Sequence, residues 1–124
     1  MLIDIKPVPK PRMTRADKWK KRPAVMRYRA FCDELRSKFS PEAPETPIVL
    51  IFNLPMPKSW SKKKKIAMDG KPHLQRPDLD NLEKAWNDAL HKEDSAVWNC
   101  WSRKFWSYTG SIEINYRKGG LDEY

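Results

Sequence analysis

Residues 76–84 read Arg-Pro-Asp-Leu-Asp-Asn-Leu-Glu-Lys, and the rest of the chain is best understood outward from them. Pro77 disfavours helical angles at Arg76, so the chain arrives here extended. From Leu79 onward the apolar residues Leu79, Leu82, Trp86, Ala89 and Leu90 recur at helical spacing, which predicts an amphipathic helix over 79–90. If Asp78 and Asp80 both lie on the extended approach, the two-residue strand repeat points their carboxylates the same way. Lys84 follows Asp80 by one helical turn, on the same side. Asp88 and His91 continue near that face, and Glu93-Asp94 come directly after the helix.

Two chemistries fit this arrangement. Convergent carboxylates without thiol ligands suit a hard, oxygen-seeking cation such as Mg²⁺ or Mn²⁺. Such an ion polarises a phosphoryl oxygen and generates hydroxide, and a nearby lysine offsets charge building on the phosphorus oxygens. The same residues also spell helix capping. Asp80-x-x-Glu83 is a capping box, Asp78 is an acceptable N-cap, and Asp80–Lys84 is an ordinary i,i+4 ion pair. Spacing does not choose between them.

Toward the N-terminus, residues 2–6 predict a short strand stopped by Pro7-Val8-Pro9. Residues 10–22 hold seven Lys or Arg with one acid, Asp17, and one ring, Trp19, and have no apolar period. They read as a basic loop or arm. Pro23 can open a helix, and Val25, Tyr28, Phe31, Leu35 and Phe39 carry its apolar stripe over 24–39. Residues 40–47 include three prolines and form a connector, and residues 48–54 are a buried strand bounded by Pro47 and Pro55. One or two helical turns are expected in 58–68, with Ser59 or Ser61 as N-cap ahead of the run Lys62, Lys63, Lys64, Lys65. Asp69-Gly70 signals a turn.

Beyond the central helix, residues 97–106 predict a strand, Tyr108-Thr109-Gly110 a turn, and Ile112, Ile114 and Tyr116 the inward face of a last strand. Residues after Lys118 form a polar, frayed tail. The order β-α-β-(short α)-α-β-β predicts one α+β domain over 1–124, a small mixed or antiparallel sheet with helices packed on one face.

Leu, Ile, Val and Phe number 24 in 124 residues, a thin core that six Trp and four Tyr enlarge. A thin core makes association with a second copy an attractive source of further burial. The net charge of +9 is unevenly divided, with residues 1–76 carrying 19 Lys/Arg against 7 Asp/Glu and residues 77–124 carrying 6 against 9. A +12 half invites polyanions, and a −3 half supplies carboxylates that polyanions alone would not want. No apolar run is long enough for a membrane span, and no secretory signal or glycine-rich phosphate loop occurs, so a cytoplasmic protein without a small-molecule cofactor is expected, nucleoid-associated if DNA is its polyanion. Cys32 and Cys100 match no metal-ligand spacing and read as idle thiols. Trp19 and Trp60, interleaved with the basic residues, support phosphate contact, whereas Trp86, Trp98, Trp101 and Trp106 read as core or dimer interface.

The motif Pro77-Asp78-Leu79-Asp80-Asn81-Leu82-x-Lys84, followed by Asp88-Ala89-Leu90 and the acidic pair at 93–94, resembles the signature of the RusA family of Holliday-junction resolvases. The resemblance extends to Val8-Pro9-Lys10-Pro11-Arg12, to Met56-Pro57-Lys58-Ser59-Trp60-Ser61-Lys62-Lys63 and to the Lys104…Trp106…Gly110 ending, which are similar to those of prophage-type members. It implies a homodimeric, Mg²⁺-dependent endonuclease that nicks two strands of a four-way DNA junction symmetrically. It also implies metal ligands at Asp78, Asp80 and Asp94 and a catalytic lysine at Lys84. The connection between Leu90 and Asp94 is shorter than in some members, which makes Glu93 the alternative third ligand. Lys10, Arg12, Arg15, Lys62 to Lys65 and Arg76 are the expected DNA contacts. A non-catalytic nucleic-acid-binding module, or a metal-dependent nuclease for other branched DNA or RNA, are the rival readings.

Overall fold

A computed structural model describes residues 2–15, 22–39, 48–90 and 100–116, with the side chains of Ile48, Cys100 and Tyr116 not described. The elements run β1 (Leu2–Ile3), α1 (Pro23–Lys38), β2 (Ile48–Pro55), α2 (Lys62–Met68), α3 (Leu79–Leu90), β3 (Cys100–Ser107) and β4 (Ser111–Tyr116). Their order is the expected one, and the class is α+β.

The sheet is mixed, with strand order β1-β4-β2-β3. β2 runs parallel to β3, with Leu50 opposite Ser102 and Leu54 opposite Trp106. On its other side β2 runs antiparallel to β4, and β4 pairs in turn with β1. Strands β3 and β4 are consecutive in sequence but do not pair. Residues 108–110 carry the chain past the end of β2, whose next residue, Met56, donates its N–H to the Ser107 carbonyl at 2.9 Å. Gly110 is required at this crossing, because a Cβ there would lie 2.7 Å from the Lys6 Cα.

Alternation along the strands sends Leu50, Phe52, Leu54, Ile112 and Ile114 to one face, where α1 and α3 cover them. All five apolar positions expected in the first helix, Val25, Tyr28, Phe31, Leu35 and Phe39, are buried. Pro23 opens that helix and Phe39 ends it in extended geometry, its N–H still bonded to the Leu35 carbonyl. In α3 the buried residues are Leu82, Ala85, Trp86 and Ala89, with Leu79 and Leu90 packed on the margin. Phe39 and Trp86 meet with ring centroids 5.4 Å apart. Arg36 donates from Nε to the Ala89 carbonyl at 2.6 Å, satisfying one of the carbonyls left open at the end of α3.

A second cluster holds the sheet edge. Residues 70–73 bond along β3 through Trp106 N–H to the Lys71 carbonyl and His73 N–H to the Lys104 carbonyl. Trp106 packs between Trp60, at 4.7 Å, and His73, at 4.0 Å. This places α2 on the outside of the domain, with no buried residue of its own.

The first strand is shorter than expected. Its ladder ends at Ile3, because Ile5 turns its N–H back to the Ile3 carbonyl at 2.9 Å instead of to a neighbouring strand. The expected strand over 97–106 is β3 from Cys100, and residues 97–99 lie outside the described residues.

Candidate active site

α3 begins at Leu79, so only Asp78 stands on the approach, and Asp80 already lies in the first turn. The Asp78 backbone carbonyl accepts the N–H groups of Asn81 at 3.1 Å and Leu82 at 3.2 Å. Its carboxylate is exposed and, among the described residues, has no hydrogen bond or ion pair. The capping box does not form. Asp80 sits inside the helix rather than at its cap, and Glu83 accepts from Ser102 Oγ at 2.6 Å instead of reaching back. Asp78 thus stands at the N-cap position by its carbonyl while its side chain makes no cap bond, and both carboxylates are exposed.

Lys84 Nζ lies 3.6 Å from Asp80 Oδ2, with the two side chains 61% and 68% exposed. At that exposure an i,i+4 pair stabilises the fold by only about 0.3–0.5 kcal/mol. Neither group is held in place by the other, so both remain available to a ligand.

The approach itself is braced from β3. Lys104 donates to the Gln75 carbonyl at 2.6 Å and to the Pro77 carbonyl at 2.8 Å. Its ammonium is committed to positioning 75–77, the turn that delivers Asp78; the Arg76–Pro77 peptide within it is cis.

Segment 9–12 crosses beside α3 and separates two clefts. One is lined by Arg12, Arg76, Pro77, Asp78 and Asn81, the other by Arg12, Asn81, Lys84 and Asp88, with Lys10 and Pro11 shared. Arg12 and Arg76 thus share a cleft with Asp78, Arg12 also shares one with Asp88, and Asp80 lines neither. Lys10 differs from them. Its Nζ lies 2.5 Å from Asp88 Oδ2, an oxygen that also accepts the Tyr28 hydroxyl at 2.9 Å. Burial first, and the Asp88 bond second, push the Tyr28 hydroxyl pKa well above its ordinary value, keeping it a donor. Burial likewise pushes the Cys32 thiol up.

This network was not anticipated. Tyr28 read as one more apolar position, although a buried tyrosine hydroxyl needs a partner. Asp88, two turns beyond Asp80 and one beyond Lys84, was already on the right stripe.

Arg15 is exposed at the end of the described part of the basic segment. Lys62 to Lys65 form the first turns of α2, where Ser61, not Ser59, is the N-cap and accepts from the Lys64 N–H at 3.1 Å. Lys64 Nζ stands 4.2 Å from the Trp60 ring centre. Glu93, Asp94, His91 and Trp19 fall outside the described residues, and among those described no three His, Cys, Asp or Glu side chains come together.

The α+β scaffold presents the exposed carboxylates of Asp78 and Asp80 and the ammonium of Lys84 at one helix start. The family described as Endodeoxyribonuclease RusA matches residues 4–117, nearly the whole chain, and the protein belongs to that family. Its class is therefore endonuclease, with the branched DNA of Holliday junctions as the family's substrate. No curated protein sequence matches the chain. No helix among the described residues is long and apolar enough to cross a membrane.

Proposed function

We propose that this chain resolves four-way DNA junctions by paired, symmetric, Mg²⁺-dependent nicks, with Mn²⁺ able to substitute, and that it does so as a homodimer. The observation that carries the reading is the exposure of Asp78 and Asp80 at the start of α3, neither engaged in capping, with Lys84 beside them. Two hard oxygen donors fit a divalent ion that keeps most of its waters. Asp78 and Asp80 would hold it, with Asp94, or Glu93 in its place, as third ligand. The bound ion supplies Lewis acidity and lowers the pKa of water.

The chain's own groups do the rest. Lys84 offsets negative charge developing on the phosphorus oxygens. Arg12 and Arg76, which line the cleft beside Asp78, would orient the phosphodiester. Arg15 and the α2 lysines engage phosphates farther along the DNA arms, a sequence-independent attraction that weakens with salt. Two-fold symmetry matches two equivalent cuts to two equivalent sites. The sheet face opposite the helices, with Ile51 and Phe105 half-buried and Trp101 exposed, offers apolar surface for pairing.

The test is a synthetic four-way junction, a linear duplex and a single strand, each with Mg²⁺ and with EDTA. Paired symmetric nicks in the junction alone, lost with EDTA, are expected, and binding without cleavage would support the non-catalytic module. Asp80→Asn should abolish cleavage while junction binding survives or tightens, because one negative charge is removed. An Asn variant that cuts normally would overturn the metal assignment.

A further inference from the structure

Lys10 belongs by sequence to the basic segment 10–22, yet both its backbone and its side chain are tied to α3. Its backbone N–H donates to the Asn81 carbonyl at 3.0 Å, and its ammonium meets the Asp88 carboxylate. Asn81 and Asp88 are seven residues apart on α3, about 10 Å along the axis, so this one lysine lies along two turns of the helix. Asp88 Oδ2 is held from the other side by the Tyr28 hydroxyl of α1, and the carboxylate is mostly shielded, its side chain 23% exposed. Two residues on, the Arg12 carbonyl accepts from Arg22 Nη2 at 2.8 Å, tying the segment to the start of α1. The segment so fixed is the wall between the two clefts, and Arg12 and Asn81 line both.

We propose that Lys10, Asp88 and Tyr28 form an internal clamp that sets segment 9–12 across α3. Asp88 is a positioning residue of the cleavage site, and Lys10 carries its charge for Asp88 rather than for a DNA phosphate. The clamp acts by fixing Arg12 opposite Asn81 and Lys84. It rests on the nuclease reading above for its consequence in turnover, but not for its consequence in binding.

The test uses the paired variant Lys10→Met/Asp88→Asn, which removes one charge of each sign and leaves the net charge unchanged. Junction binding, followed in EDTA over a range of salt, should keep the wild-type slope. Turnover at saturating junction with Mg²⁺ should fall on the order of 100-fold, the cost of displacing a positioning element by about an ångström. Lys10→Arg, which retains the ion pair, should recover most of that turnover, a rescue that a general loss of stability would not give. Should the paired variant fail to fold, Tyr28→Phe removes a single hydroxyl and should lower turnover with the salt slope intact. A slope flattened by about 0.9, the contribution of one duplex phosphate contact, would overturn the proposal. So would wild-type turnover in both the paired and the Phe variants. Absence of cleavage by the wild-type protein would instead refute the nuclease reading, while the slope would still decide whether Lys10 touches phosphate.

Discussion

His73 is a buried titratable side chain, 4% exposed, tilted against Trp106 at the sheet edge. Burial above all, and the Lys104 charge next, hold its imidazole below the ordinary histidine pKa of 6.5. On unfolding it regains that value, so below pH 6.5 the unfolded chain binds a proton that the folded chain refuses. His73 therefore leaves stability intact above pH 6.5 and erodes it as the pH falls through 6.5 toward the lower folded value, where the loss levels off. Thermal unfolding between pH 7.5 and 5 should show this decline, and His73→Gln should flatten it; an unchanged profile would place the acid sensitivity elsewhere. The sequence showed nothing of this environment, because Trp106 and Lys104, some thirty residues further along on β3, create it. Ser61 is the opposite case. Its capping role was legible because the oxygen it offers serves an N–H only three residues away.

At the level of elements, α1 and α3 were readable almost to the residue. Each carries a stripe such as Val25, Tyr28, Phe31 and Leu35 that has one way to be buried. The strand pairing was not readable, because Tyr108-Thr109-Gly110 has the composition of a turn and says nothing about skipping a neighbour. Gly110 is where the skip becomes stereochemical. A methyl group there meets backbone at Lys6, which cannot rotate away as a side chain would. Gly110→Ala should cost about 1–3 kcal/mol as overpacking, more than the roughly 0.4–1 kcal/mol recovered from a stiffer unfolded chain. Chemical denaturation measures the difference, and an Ala variant as stable as wild type would show that the backbone at Lys6 can shift at no cost. The site was partly legible for the same reason as the helices. Asp78, Asp80 and Lys84 lie within two turns of one another in sequence, whereas the Lys10–Asp88–Tyr28 contact joins three segments and could be seen only in the fold.

The charge division of the whole chain acquires a place in the fold. Arg12, Arg76 and the lysines of α2 come from the +12 portion, and Asp78, Asp80 and Asp88 from the −3 portion. Segment 9–12 brings the two portions together along α3. The thin core counted from composition is one helix-covered sheet face, and the proposed homodimer would use the other. Sedimentation equilibrium should then give about twice the chain mass of 14.7 kDa. Trp101→Glu on that second face should shift the distribution toward monomer, and a wild-type protein that stays monomeric while cutting junctions in pairs would refute the two-fold arrangement.

The strand order also fixes a sequence of events during synthesis. Among the described residues β1 pairs with β4 alone, Leu2 facing Glu113, so β1 meets this partner only after more than a hundred further residues have been made. Only with β4 in place do both sides of β2 have a neighbour in the sheet. Contacts this distant in sequence make for slow folding, and until they close the apolar edge of β2 is open to other chains. Growth temperature and expression rate should therefore govern the yield of this protein more than its final stability does.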